Sequence, residues 1–342
     1  MASSNIILRR NLLFNNVRCG IQFNGRVADL HIEQNYAYQN GQVANGGGGA
    51  DFCLEQGVHD SFVRGNVSLG SNFGIALSTY DGKENGGSAG SGYWNTCGSS
   101  GTDACICSPI NQGGVCAFSE YNIVFANNTL VNTGYDLAGN DISIDPVIEI
   151  GRQGGSMCTT ATCLATSFYS NTWQNSVVLT KGEATYSPPF TFTTGSASPA
   201  SGPTNTINGV TYAQTSGGST GFEGYGLQSG CCGYNPYTCA AAVSGGIIGS
   251  AASCINSDPL FVALGAYNNI AGYNLRLQAT SPAKATGPAL VGNLPMDITG
   301  AFLSPTVPSM GAYEYVGGGG GSSGGSFSGG KITRGGGIRR LR

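Results

Sequence analysis

The sequence predicts an all-β chain wound as a parallel solenoid, each coil built from three short strands and three turns. Three observations carry that prediction. A short strand phrase ending in Asn recurs five times, and a second apolar strand phrase recurs between its copies. The composition is also turn-rich and charge-poor, with 57 Gly in 342 residues and 10% charged residues, where average glycine usage is about 7%. A helical chain would carry far more Lys, Glu and Ala.

The first phrase is clearest in Leu30-His31-Ile32-Glu33-Gln34-Asn35, where Leu30 and Ile32 fall on one face and His31 and Glu33 on the other. Period-two alternation closed by Asn reads as a short half-buried strand that turns a corner. Asn11, Asn35, Asn66, Asn128 and Asn171 each follow an apolar residue by three places (Leu8, Ile32, Val63, Phe125 and Phe168). Three places after them come Phe14, Tyr38, Leu69 and Val131, with Gln174 the exception. Successive Asn residues are 24, 31, 62 and 43 residues apart. About 24 residues make one three-strand coil, so the surplus is assigned to loops: the Gly-rich run 41–49 and the 38-residue segment 81–118. Asn suits the corner because it tolerates the left-handed region. Stacked coils would also bring the Asn amides about 4.8 Å apart, within reach of a hydrogen-bonded ladder.

The second phrase comprises Gly20–Phe23, Asp51–Glu55, Gly74–Leu77, Val147–Ile150 and Val177–Leu179. Aligned on the Asn residues, Glu33 falls between Arg9 and Arg64 on neighbouring strands, an ion pair across the ladder. His31 falls between Ile7 and Phe62, a packed surface imidazole. Asp51, Glu55 and Glu149 are expected to point outward as a solvated acidic face. Calcium is the one ion such a face could take, and no other cofactor is expected.

These phrases resemble the coils of right-handed parallel β-helix proteins, the pectate-lyase-like superfamily, over roughly residues 5–180. Further on, Asp258-Pro259-Leu260-Phe261, Tyr273–Leu277, Ser281-Pro282-Ala283 and Gly311-Ala312-Tyr313-Glu314 are similar to the closing segment of bacterial surface β-helix proteins of the choice-of-anchor type, Q variant. Ser309-Met310 stands where that family usually has Asp-Ile. The resemblance implies a right-handed, three-sheet β-helix in a secreted or cell-surface protein, and implies no particular reaction.

Four regions follow: coils over 1–180, an irregular Cys-containing insertion over 181–254, a closing β-helix segment over 255–316 and a Gly-rich basic tail over 317–342. The tail holds Lys331, Arg334, Arg339, Arg340 and Arg342, five of the 15 Lys and Arg residues, and none of the 18 acidic ones. It suits an anionic polymer, a membrane surface, the chain's own acidic body, or an export or anchoring signal. No apolar run reaches the length of a membrane span. Met1 leads almost directly into Ile6-Ile7-Leu8, so a signal peptide and an N-terminal cap are expected to be missing from the sequence.

Twelve Cys residues in polar, Gly-rich surroundings favour disulfides and an oxidising compartment. The candidates are Cys97, Cys105, Cys107 and Cys116 in one loop, Cys158 and Cys163 in a second, and Cys231, Cys232, Cys239 and Cys254 in the insertion. Cys158–Cys163 is the most local pairing. Cys105-Ile106-Cys107 and Cys231-Cys232 lack the Cys-x-x-Cys knuckle of a zinc site.

Binding is expected at the edge loop 81–118, where Tyr80, Tyr93 and Trp94 stand near Lys83, Glu84 and Asp103, a set suited to stacking on a sugar ring and hydrogen-bonding its hydroxyls. Catalysis has thinner support. A glycosidase needs two carboxyls roughly 5–9.5 Å apart, and the β-helix polygalacturonase strings (a tandem Asp pair, Gly-His-Gly, Arg-Ile-Lys) are not in the chain. A lyase needs a base, and Arg152 with Glu149 and Asp145 is the nearest set. The favoured expectation is a secreted or surface β-helix for attachment or assembly. It would contact polysaccharide or cell-surface glycan, with homo-oligomers or fibres through the solenoid ends. A polysaccharide lyase or glycoside hydrolase is the alternative, and nucleic acid is not an expected partner.

Overall fold

A computed structural model describes residues 3–24, 27–41, 49–55, 57–71, 73–80, 120–132, 148–153, 168–180, 190–193, 205–214, 222–225, 235–244, 249–265, 270–289, 296–316 and 339–340. The first coil is β1 (Ser3–Arg9), β2 (Asn11–Phe14) and β3 (Ile21–Asn24). The second is β4 (Val27–Glu33), β5 (Tyr36–Tyr38) and β6 (Ala50–Glu55). The third is β7 (Val58–Arg64), β8 (Val67–Leu69) and β9 (Phe73–Tyr80). The fourth is β10 (Glu120–Ala126), β11 (Thr129–Asn132) and β12 (Ile148–Gln153). In the fifth, β13 (Phe168–Tyr169) leads into the long β14 (Thr172–Thr180) and then β15 (Phe190–Thr193). The sixth holds β16 (Thr206–Gln214) and β17 (Phe222–Tyr225), followed by β18 (Asn235–Tyr237), the short helix α1 (Cys239–Ser244) and β19 (Ser250–Asn256).

Strands stack in parallel from coil to coil, so the chain is an all-β parallel solenoid. β1, β4, β7 and β10 form one column, β2, β5, β8 and β11 a second, and β3, β6, β9, β12, β15 and β17 a third. β14 spans the first two columns, pairing β10 through Thr172–Gln174 and β11 through Val177–Thr180. Inward side chains such as Leu30, Ile32, Phe52, Val63, Ile75 and Phe125 are fully buried in one apolar core. Phe125 stacks on Trp173 at 5.1 Å.

One corner explains why the coils stack in register. The Oδ1 of Asn35 accepts from the backbone N–H and the Nδ2 of Asn11, at 3.0 and 2.9 Å. Asn66 does the same for Asn35 at 2.9 and 3.0 Å, and Asn128 for Asn66 at 3.1 Å each. The side-chain amides of Asn35, Asn66 and Asn128 also donate to the carbonyls of Leu8, Ile32 and Val63. The left-handed backbone, expected at the Asn itself, falls one residue earlier, at Arg10, Gln34, Gly65 and Asn127. The residue that bends the chain and the residue that satisfies the bent backbone are therefore neighbours, not the same residue.

The fifth coil corrects the expected register. Asn128 is followed in the ladder by the hydroxyl of Ser176, and Phe125 pairs with Trp173. Asn171 belongs one corner upstream, after the positive-φ Ser170, where it takes an N–H bond to the Oδ1 of Asn205 at 3.0 Å. Gln174 was exceptional because it never lay in the Phe14, Tyr38, Leu69 and Val131 column, where Leu179 follows Val131. Val177–Leu179 likewise sits in the second sheet, and β15 takes its expected place beside β12. Within the stretch expected to be irregular, β16 pairs with β14 and β19 pairs with β16, which carries the stack two rungs further. Two disulfides hold the described residues, Cys239–Cys254 and Cys19–Cys53, the second of them between adjacent coils. Cys19 and Cys53 escaped the sequence reading because they lie in the coils and not in Cys-rich loops.

The closing segment runs along the solenoid, over the outer face of the second sheet. Phe14, Tyr38, Leu69, Val131 and Leu179 are covered there by Phe261, Leu275, Leu277, Met310 and Ala312. Its β20 (Phe261–Ala263) and β21 (Asn274–Leu277) form a small antiparallel pair. Side chains of the corner residues clip it in place. Gln34 donates to the carbonyls of Met296 and Asp297, Gln174 to Ala289 and Asn175 to Pro288. Gly311, at φ 97°, allows the close approach, since a Cβ there would lie 2.6 Å from the Thr129 hydroxyl. Ser309 donates its N–H and hydroxyl to the Glu314 carboxylate. A last strand, β22 (Arg339–Arg340), pairs antiparallel with β2.

Replacing Asn66 by Leu leaves buried backbone and amide groups on both neighbouring coils without partners, at about 1–3 kcal/mol in unfolding free energy. Asn16, exposed at a third corner, donates its amide to Asn40 from the edge of the stack. Urea titration should show a clearly larger drop for Asn66→Leu than for Asn16→Leu, and equal drops would contradict the buried ladder.

Candidate functional site

The first column of strands bends at a corner of its own. β4, β7 and β10 repeat one burial pattern, in which the third residue is exposed and adopts a positive φ: Asp29 at 54°, Asp60 at 48° and Asn122 at 53°. Asp and Asn tolerate this conformation because their short polar side chains can bond locally. The bend leaves the residue before it and the second residue after it facing outward. Ala28, His59 and Tyr121 therefore form one outward row and His31, Phe62 and Val124 another, on either side of the acidic corner.

Contacts along these rows are continuous. The imidazole of His59 stacks on the ring of Tyr121, centroids 4.8 Å apart and 3° from parallel. His59 Nδ1 lies 2.7 Å from Asp60 Oδ2, and Asp60 Oδ1 accepts from Asn122 Nδ2 at 2.8 Å. Across the corner, His31 spans Asp29 and Glu33 at 3.1 Å each and tilts against Phe62 at 5.1 Å. Arg64 covers the other face of this group, its guanidinium 4.7 Å from the Phe62 centroid. Asp29 and Asp60 are 53% and 51% exposed and available to a partner, whereas the Glu33 side chain is fully buried. Burial alone would raise the pKa of Glu33. Hydrogen bonds from Arg9, His31 and Arg64 outweigh it and hold the carboxyl below its ordinary value. Glu33 is thus a fixed anion that orients two arginines and a histidine. The outer rows offer flat rings, ring nitrogens, carboxylates and an amide on a rigid scaffold, a set suited to holding a polyhydroxylated chain.

The residues singled out from the sequence are placed unevenly. Glu149 lies in β12 between Ala76 and Thr191, and Arg152 and Gln153 pair with Thr79 and Tyr80 at the end of β9. That register sets Arg152 and Tyr80 at the root of the segment 81–118. Asp145, Lys83, Tyr93, Trp94 and Asp103 lie outside the described residues, as do Cys97, Cys105, Cys107, Cys116, Cys158, Cys163, Cys231 and Cys232. The expected outward acidic face is corrected. Asp51 is fully buried, hydrogen-bonded to Asn40 and Ser71, and Glu55 is buried against Gln22. Strand alternation alone placed Asp51 outward; in the fold the corner residues Asn40 and Ser71 close on its carboxyl, both donating to Oδ1. Among the described residues, one group has the makeup of a metal site, Cys19, Cys53 and Glu55, and its two sulfurs are bonded to each other.

His59, Tyr121, Asp60 and Asn122 were missed, although their signal was present. Ala28, His59, Tyr121 and Tyr169 each stand seven places before the corner residues Asn35, Asn66, Asn128 and Ser176. Taking Asn171 as the fifth corner hid the row. No protein-family model matches the chain, and no curated protein or solved structure matches it. No helix among the described residues is long and apolar enough to cross a membrane.

Burial pushes the pKa of Asp51 up to about 7, above the unfolded value of about 3.9, despite hydrogen bonds from Ser68, Ser71 and Asn40. Between those values the folded chain holds a proton that the unfolded chain has lost. Asp51 therefore lowers stability as pH rises through that window. Chemical denaturation of the wild type and Asp51→Asn across this range should show a decline in the wild type that the variant reduces. Parallel pH profiles would contradict a buried, protonated Asp51.

Proposed function

We propose that this is a secreted or cell-surface, non-catalytic solenoid that binds polysaccharide through its outer corner face. The single observation that carries the proposal is the stacked His59–Tyr121 pair with Asp60 and Asn122 beside it. Aromatic faces and edges take the C–H surface of a sugar, and carboxylate and amide groups take its hydroxyls. Along the backbone, Tyr121 pairs with Tyr169 of the next coil. Repetition along the axis suits a polymer, because weak contacts to successive units add within one chain. Two disulfides and the parallel solenoid are compatible with an extracellular setting. The pectate-lyase-like coils and the choice-of-anchor-like closing phrases point to the same class, with Tyr80, Lys83, Tyr93, Trp94 and Asp103 as an adjoining contact region and attachment or assembly as the role. The Glu149, Arg152 and Asp145 set is not assigned a reaction.

The test is a panel of acidic and neutral polysaccharides assayed for retention of the protein and for released sugar ends. Tyr121→Ala and His59→Ala should each weaken binding by about 1 kcal/mol, roughly fivefold, without changing the fold. Release of unsaturated or reducing ends, abolished by changing Arg152 or Glu149, would overturn the non-catalytic reading. Binding unaffected by both ring substitutions would remove this face as the site.

A further inference from the structure

The disulfide between the first two coils has a carboxylate beside it. Cys19 lies in the connection from β2 to β3, and Cys53 and Glu55 stand two places apart on β6, on one face of that strand. The two sulfurs and a Glu55 carboxylate oxygen all lie within 4.8 Å of one another. Cys53 is 2% and Glu55 7% exposed, whereas Cys19 is part-buried, so solvent reaches the group from the Cys19 side. Gln22 on β3 donates its amide to Glu55 Oε2 at 3.0 Å and orients the carboxylate. Ala50 and Ala76 pack beside Cys53 and keep its surroundings apolar. Burial raises the pKa of Glu55 despite the Gln22 bond and the nearby charge of Arg18. The carboxylate is therefore held in a place where a further positive charge would be welcome.

A disulfide has no use for such a neighbour, whereas two thiolates and an oriented carboxylate are a donor set for zinc. We propose that this junction is a metal site in its reduced form: with the disulfide opened, Cys19, Cys53 and Glu55 bind one zinc ion, which links the first two coils in the disulfide's place. A dithiol reductant passes two electrons and two protons to the sulfurs and itself becomes a disulfide. Zinc then displaces the two thiol protons. Tetrahedral bonds of about 2.3 Å set the sulfurs about 3.8 Å apart, an opening that side-chain rotation supplies at a Cα separation of 5.9 Å. Water takes the fourth position from the part-exposed side. Two thiolates and a carboxylate exceed the charge of the ion by one, and Arg18 offsets the excess. Soft thiolates select zinc over magnesium or calcium. The site serves the chain wherever its thiols are kept reduced. This inference stands apart from the polysaccharide reading, because it uses neither the corner face nor a sugar.

The experiment reduces the full chain with a dithiol, removes the dithiol without air, and labels thiols with iodoacetamide in zinc chloride, in magnesium chloride or in neither. Peptide mass spectrometry reads each cysteine separately, so the other cysteines of the chain do not enter the result. Zinc, and not magnesium, should protect Cys19 and Cys53 together, while circular dichroism keeps the β signal of the oxidised chain. Glu55→Gln should lose that protection yet still form the Cys19–Cys53 disulfide on oxidation. Gln22→Ala, which only releases the carboxylate, should raise the zinc concentration needed for protection by about tenfold. Absence of protection, protection of one cysteine without the other, equal protection in Glu55→Gln, or loss of the β signal in the zinc-loaded chain would each overturn the proposal.

Discussion

Every coil depends on how the backbone is satisfied where it turns. At each corner one residue enters the left-handed region, and the chain changes direction over a single step, which aims an N–H group into the interior of the stack. An unpaired buried donor there would cost the full desolvation penalty. Asn35, Asn66 and Asn128 remove that cost with one side chain each, because the amide accepts from the coil on one side and donates within the stack. A ladder of this kind also sets register. Sliding one coil by a single residue would unpair both neighbours and turn the inward row outward.

From that constraint follow the two surfaces that matter. The residue at the left-handed position is free to use its side chain elsewhere. At the ladder corner Gln34, Asn127 and Asn175 spend theirs on carbonyls of the closing segment, which seals the apolar outer row Phe14, Tyr38, Leu69, Val131 and Leu179. One corner earlier, Asp29, Asp60 and Asn122 face solvent, and the rows flanking them carry the histidines and Tyr121. The same bend thus makes a covered flank at one corner and an exposed polar, ring-lined flank at the other.

Much of this was legible in the residues. The 24-residue spacing of Asn11 and Asn35, the Ile32 and Val63 inward row and the Glu33 ion pairs all follow from period-two alternation closed by Asn. What was not legible has physical causes. At the fifth coil the corner role passes to Ser176, a hydroxyl doing the work of an amide, so the pattern there broke and a nearby Asn171 imitated it. Asp51 looked like a surface carboxylate because strand alternation does not reveal that Asn40 and Ser71, at corners of its own and the next coil, enclose its carboxyl. The row through His59 and Tyr121 was hidden because Asn171, taken as the fifth corner, put Tyr169 out of step with them, although all three stand seven places before a ladder corner.

The central claim is that the side-chain amides of Asn35, Asn66 and Asn128 are interior, doubly engaged parts of the fold. Hydrogen exchange of the Asn side-chain amide protons, followed by NMR, tests it most directly. Amide protons of these three residues should be protected to a degree comparable with the core backbone of β7, and those of the exposed Asn16 should exchange far faster. Side-chain protons of Asn66 exchanging at the rate of a free amide in a folded sample would contradict the ladder and the register built on it.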